Sequence, residues 1–118
     1  MDAVIATDAE GRIEFMNPVA VALTGWTASE AVGRSILQVF VAINETTREE
    51  EECPVGQAIS EGVIVALADH ALLVARDGAE RSVAGTSAPM RLADGRILGA
   101  VLVFSDQTEE RRTRARLA

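Results

Sequence analysis

Side chains that could do chemistry are sparse in this sequence. It has one cysteine, Cys53, one histidine, His70, and no tyrosine, and all eleven basic residues are arginine. A chain without lysine forms no Schiff base. One cysteine builds neither a disulfide framework nor a cysteine-rich metal site. The lone histidine has no serine and aspartate at a convincing spacing, and there is no glycine-rich phosphate loop. Paired carboxylates such as Asp8 and Glu10 fall on what read as exposed turns. The chain is therefore expected not to be an enzyme. Cys53 precedes Pro54 at a helix start, where a thiolate is favoured. Glu49 to Glu52 stand directly before it and oppose a negative sulfur, so it reads as a partly buried thiol at a helix cap.

The strongest chemical signal lies near the C-terminus. Leu98 to Phe104 is a run of apolar or small residues, and it passes straight into Ser105-Asp106-Gln107-Thr108-Glu109-Glu110-Arg111. A buried strand ends there and a helix start follows. Asp106 or Thr108 can accept from the free N–H groups of a first turn, and Glu109 and Glu110 suit its positive end. Arg111, Arg112, Arg114 and Arg116 follow with little apolar face to dock. A strand feeding a polar helix that points away from its domain is an output shaft. The expected division is a sensor domain over 1–108 and the start of a signalling helix or linker over 109–118.

These residues need a scaffold. Ala3 to Thr7 reads as a strand, Asp8-Ala9-Glu10-Gly11 as a tight turn, and Arg12 to Met16 as a strand paired back on the first. Asn17-Pro18 is a helix cap followed by a proline at the first helical position. Thr27-Ala28-Ser29-Glu30 and Ser35-Ile36-Leu37-Gln38 fit two further helix starts, and Pro54 opens a fourth helix that Gly62 closes. Asn44 to Glu52 reads as a solvated acidic loop. Val63 to Arg76 reads as one long strand, Ala79 to Leu92 as the next and Arg96 to Ser105 as the last, joined by Asp77-Gly78 and Asp94-Gly95 turns. The class is α+β: five antiparallel strands with short helices on one face.

Composition limits the partners. A net charge of −7 over 118 residues argues against nucleic acid and acidic membrane surfaces. No apolar run approaches the ~20 residues of a membrane span, and the N-terminus has no leader pattern, so a cytoplasmic location without direct membrane insertion is expected. The aromatics are Phe15, Phe40, Phe104 and Trp26, which leaves a planar cofactor little to stack on. Leu37, Phe40, Val55 and Ile59 are expected to meet the sheet, with Leu72, Val101 and Val103 opposite. Asn44, His70, Thr86 and Ser87 are the polar candidates for a ligand pocket among them. The last strand and Ala71 to Ala75 are apolar on both faces, whereas a sheet with one wet face alternates. The side away from the helices should then be covered by a leading helix or by a second copy of the chain, and a homodimer through that face is expected.

In order, Ala3–Asp8, Gly11-Arg-Ile-Glu-Phe-Met-Asn-Pro18, Leu23-Thr-Gly-Trp26, Glu30-Ala-Val-Gly33, Ala75-Arg-Asp-Gly78, Ser87-Ala-Pro89 and the Asp106-Gln107-Thr108-Glu109 tail resemble a PAS domain over residues 2–112. PAS domains are sensory modules of bacterial signalling proteins such as histidine kinases and diguanylate cyclases. The resemblance implies a five-stranded sheet in the order 2-1-5-4-3, with a helical cap over one face and ligands between the two. It implies a C-terminal helix that leads to an effector of kinase or cyclase type. The family's Asp-x-Thr motif maps onto Asp106 and Thr108 as the signal relay. The flavin-photoadduct branch carries an Asn-Cys-Arg motif that is missing here. The haem branch uses a histidine of the helical cap, whereas His70 falls in the third strand. Neither haem nor flavin is expected, and the ligand is left open. The alternative is a ligand-free interaction and dimerisation module.

Overall fold

The computed structural model of the protein describes residues 2–108. The first strand, β1 (Ala3–Asp8), turns through Gly11 at φ 79° into β2 (Ile13–Met16). Three short helices follow: α1 (Pro18–Thr24), α2 (Ala28–Ala31) and α3 (Ile36–Val39). Each starts on the cap its sequence offers. Asn17 accepts from the Ala20 N–H, Thr27 from the Glu30 N–H, and Ser35 from the Leu37 N–H. Each cap satisfies a helical donor that would otherwise lack a partner. The longest described helix, α4 (Pro54–Glu61), begins with proline and ends on Gly62 in the left-handed region.

The sheet is antiparallel and contains more strands than the sequence suggests. Besides β1 and β2 it has β3 (Val41–Asn44), β4 (Val65–Ala66), β5 (Ala71–Val74), β6 (Glu80–Arg91) and β7 (Ile97–Asp106). Their order is β2-β1-β7-β6-β5-β3, with β4 paired to β6. The five expected strands thus keep their order 2-1-5-4-3, and two details differ. Val41–Asn44 adds an edge strand, pairing with Ala71–Val74. The long third strand is broken into β4 and β5, because the chain leaves the sheet at Ala68–His70 and His70 takes φ 64° to return. His70 is therefore a turn residue, not a strand residue.

The inner face of the sheet packs on the helices. Ile5, Leu73, Leu102 and Phe104 are buried with Ile13, Val39, Phe40 and Val55. Phe40 meets Phe104 edge-to-face at 5.0 Å between ring centroids, an arrangement worth about 0.5–1.5 kcal/mol beyond the area it buries. Strand β7 lies in the middle of this layer, between β1 and β6. Two glycines allow the close approach of its neighbours. A side chain on Gly99 would strike the Thr7 carbonyl, and one on Gly85 would strike the Val103 carbonyl and Phe104.

Candidate functional site

The end of β7 is a built junction. The Asp106 carboxylate accepts from the Thr108 N–H at 2.8 Å, the cap expected of Asp106. The Thr108 hydroxyl in turn accepts from the Ser82 N–H of β6 at 3.2 Å. The Gln107 N–H donates to the Ser82 carbonyl at 2.7 Å. Arg81 stands beside Asp106, with 3.6 Å from Nη1 to Oδ2. Burial alone would raise the Asp106 carboxyl, but the Thr108 bonds and Arg81 outweigh it and hold it below its ordinary range. Asp106 and Thr108 are thus placed together, facing β6. The expected helix beyond them, Glu109 to Arg116, lies outside the described residues.

The expected pocket residues divide between several places. Phe40 and Val55 are buried in the core, and Ile59 packs against it. Leu37 does not meet the sheet: it is 66% exposed, because Ile36 and Val39 of α3 turn inward instead. Val101 and Val103 are half-buried and alternate with the buried Ala100, Leu102 and Phe104, so they belong to the outer face. Leu72 alternates in the same way with the buried Ala71 and Leu73. Asn44 spends its side-chain oxygen on the Thr46 and Thr47 N–H groups of a turn. His70 pairs with Glu45 at 3.0 Å from its exposed turn. The Ser87 hydroxyl is fully buried on β6 and has no hydrogen-bond partner among the described residues.

Three clefts open to the surface, and two are lined in part by expected pocket residues: Leu37, Val55 and Ile59 in the first, His70 in the third. One of about 310 Å³ sits between the β1–β2 turn and the starts of α3 and α4, with Leu37 and Ile59 in its lining. One of about 230 Å³ shares Cys53 with it. The third, about 510 Å³, lies between residues 66–70, Val83–Gly85 and Gln107. Burial pushes the Cys53 thiol up, and the Glu52 carboxylate adds to that, so both disfavour a thiolate there. Among the described residues no group of three or more histidine, cysteine or acidic side chains could hold a metal. No described helix is long and apolar enough to cross a membrane.

The outer face of the sheet carries partly exposed apolar residues in register. Register places Phe15, Ala6, Val101 and Ala88 in one row across β2, β1, β7 and β6. Val4, Val103, Thr86 and Ala66 make a second row. Phe15 is 51% exposed at the end of the first row.

A family model described as the PAS fold matches residues 1–112. The chain belongs to the PAS family. The PAS chain is 32% identical over 111 residues to a probable diguanylate cyclase, DgcE, of Escherichia coli K12, which covers 94% of the chain and 10% of that protein. It is 29% identical over 120 residues to the signal transduction histidine-protein kinase AtoS of the same organism, covering 99% of the chain and 18% of that protein. It therefore spans between a tenth and a fifth of the length of these relatives. Among solved structures, the PAS domain of nitrogen regulation protein NR(II) from Vibrio parahaemolyticus superposes with a TM-score of 0.65 at 20% identity, over 89% of this chain and 88% of that one. The resemblance drawn from the motifs and the α+β class both hold.

Sequence reasoning missed Arg81 and Ser82, whereas Ser87 was among its polar candidates. Arg81 and Ser82 carry no motif, and only the β6–β7 register brings them to Asp106 and Thr108.

Proposed function

We propose that this PAS domain is the regulatory part of a larger cytoplasmic signalling protein and relays a change in its core through residues 106–108 to an effector of kinase or cyclase type. The domain would end at residue 108 and the output helix would begin at 109. The observation that carries this reading is the position of β7. It runs through the centre of the sheet, buries Leu102 and Phe104 against the helical layer, and ends on the Asp106–Thr108–Ser82 hydrogen bonds. A change in how Phe40 or Val55 packs on Phe104 and Leu102 reaches the exit through one strand.

The same reading makes the domain a homodimer through the outer face, where the two rows, apolar but for Thr86, would seat a second copy. A small ligand would lie between helices and sheet, near Phe40, Val55 and Ile59, with the unpartnered Ser87 hydroxyl as a polar contact. Support from the relatives is their being a cyclase and a kinase matched over nearly all of this chain. The domain itself would not be catalytic. Native mass spectrometry with an absorption spectrum of freshly purified protein tests the input side. A retained small molecule on a dimer supports the sensor reading. A ligand-free dimer supports the alternative, a pure dimerisation module. A ligand-free monomer at high concentration contradicts both.

A further inference from the structure

Among the described residues, the far end of β7 pairs with β6 and not with β1. The strand's pairing with β1 stops at Phe104, opposite Ala3. Beyond that point the described strand pairing and inter-strand hydrogen bonds of the exit run to β6. Asp106 lies opposite Val83, Gln107 and Thr108 bond to Ser82, and Arg81 faces the Asp106 carboxylate. The Arg81 Nε is fully buried and has no hydrogen-bond partner among the described residues. The rest of the side chain stays partly in water, 41% exposed, with Nη1 turned to the Asp106 carboxylate. The preceding residue, Glu80, is held from the opposite direction. Arg48, in the turn after β3 and at φ 66°, grips the Glu80 carboxylate with both of its terminal nitrogens. Adjacent β6 residues thus carry ion pairs to two different places, one to the segment that leads into α4 and one to the exit.

We infer that Arg81 is a positioning residue for the output: it holds Asp106 so that Thr108 stays docked on Ser82 and the chain leaves along the start of β6. The inference rests on the reading of residues 106–108 as the relay. The exit then reports on the β5–β6 hairpin and, through the Glu80–Arg48 pair, on the turn before α4, rather than on β1. This is a contiguous set of contacts between named groups, and its test is energetic coupling, not proximity.

The test is amide hydrogen exchange and carboxyl titration by NMR on the Arg81→Met and Arg81→Lys variants of this chain. Arg81→Met is expected to speed exchange of the Ser82 and Thr108 amides roughly tenfold, the loss of one charge-assisted contact. The Ile5 and Leu102 amides at the centre of the sheet should keep their protection, which shows that the variant is folded. The Asp106 carboxyl should titrate higher in Arg81→Met and return towards its native value in Arg81→Lys, an effect that lost packing alone would not produce. Unchanged Ser82 and Thr108 exchange, or an unmoved Asp106 titration, overturns the inference. Loosened exchange with unaltered effector regulation in the longer protein leaves Arg81's positioning role standing and removes the relay reading instead.

Discussion

Placing a carboxylate at the middle of the outer face, Val101→Glu, should dissolve the proposed dimer and leave the monomer folded. Val101 sits between Ala6 of β1 and Ala88 of β6, and it is half-buried before any partner arrives. Full burial of a valine is worth roughly 1.5–3 kcal/mol, so covering its remaining half contributes about 1 kcal/mol per protomer. A two-fold axis counts the residue twice, giving a loss of about 2 kcal/mol from burial alone. The substitution also brings two carboxylates into a covered apolar surface without partners, at several kcal/mol more. A total of about 4 kcal/mol raises the dissociation constant about a thousandfold. Sedimentation equilibrium over a concentration series reads this directly. A thermal melt followed by circular dichroism checks the fold, which should change by no more than about 1 kcal/mol, because the inner residues Ala100, Leu102 and Phe104 are untouched. Equal dissociation constants for the two proteins would refute the reasoning, as would a wild-type chain that stays monomeric at high concentration.

Three further outcomes follow from the packing and the charges. Leu102→Ala should cost ~2–5 kcal/mol in chemical denaturation, whereas Leu37→Ala, at an exposed site, should change stability by less than about 0.5 kcal/mol; comparable losses would contradict the inward packing of Ile36 and Val39 in place of Leu37. Gly99→Ala drives a methyl group into the Thr7 carbonyl and should destabilise by ~1–3 kcal/mol or more as β1 and β7 separate; a neutral result in a melt would mean that the strands do not approach so closely. In a pH series, Asp106, Glu30 and Glu80 have carboxyls held below their ordinary range, so their stabilisation is complete above the unfolded value of about 4 and is lost as pH falls through the folded values. The Cys53 thiol is raised, so its contribution is complete below the ordinary thiol range and is lost as pH rises through the folded value. Stability should therefore be flat between roughly pH 5 and pH 8 and fall on either side. A steady slope across neutral pH, or rapid labelling of Cys53 by a thiol reagent in the folded protein, would oppose this.

Local chemistry was legible wherever one residue decides it. Asn17, Thr27 and Ser35 mark helix starts because their side chains replace a missing backbone acceptor. The Asp77-Gly78 and Asp94-Gly95 turns mark hairpins because glycine alone accepts φ near 90° without strain. What required long-range pairing was not legible. Strand β3 exists because Ala71–Val74 offers it an edge almost thirty residues later. The break between β4 and β5 depends on His70 taking a left-handed turn and on Glu45, whose N–H donates to its carbonyl and whose carboxylate meets its ring. Which side of β7 faces inward was hidden for another reason. Ala100 to Phe104 is apolar throughout, so its period of two has no polar member to mark the outer face. Only the pairing of Ala3 with Phe104 sets Leu102 inward and Val101 outward. A four-residue helix such as α3 is likewise too short for its periodicity to separate Ile36 from Leu37.

The most direct test of the relay is the regulated activity of a protein in which this domain precedes its effector, measured with Asp106→Ala and Thr108→Ala together. Both residues lie at the exit, and each lost cap should cost only ~0.5–2 kcal/mol locally, so the domain should still fold and dimerise. The expected result is an effector whose output no longer differs between the stimulated and unstimulated states. An effector that keeps its full regulation with both caps removed would show that the change in the core does not leave through β7.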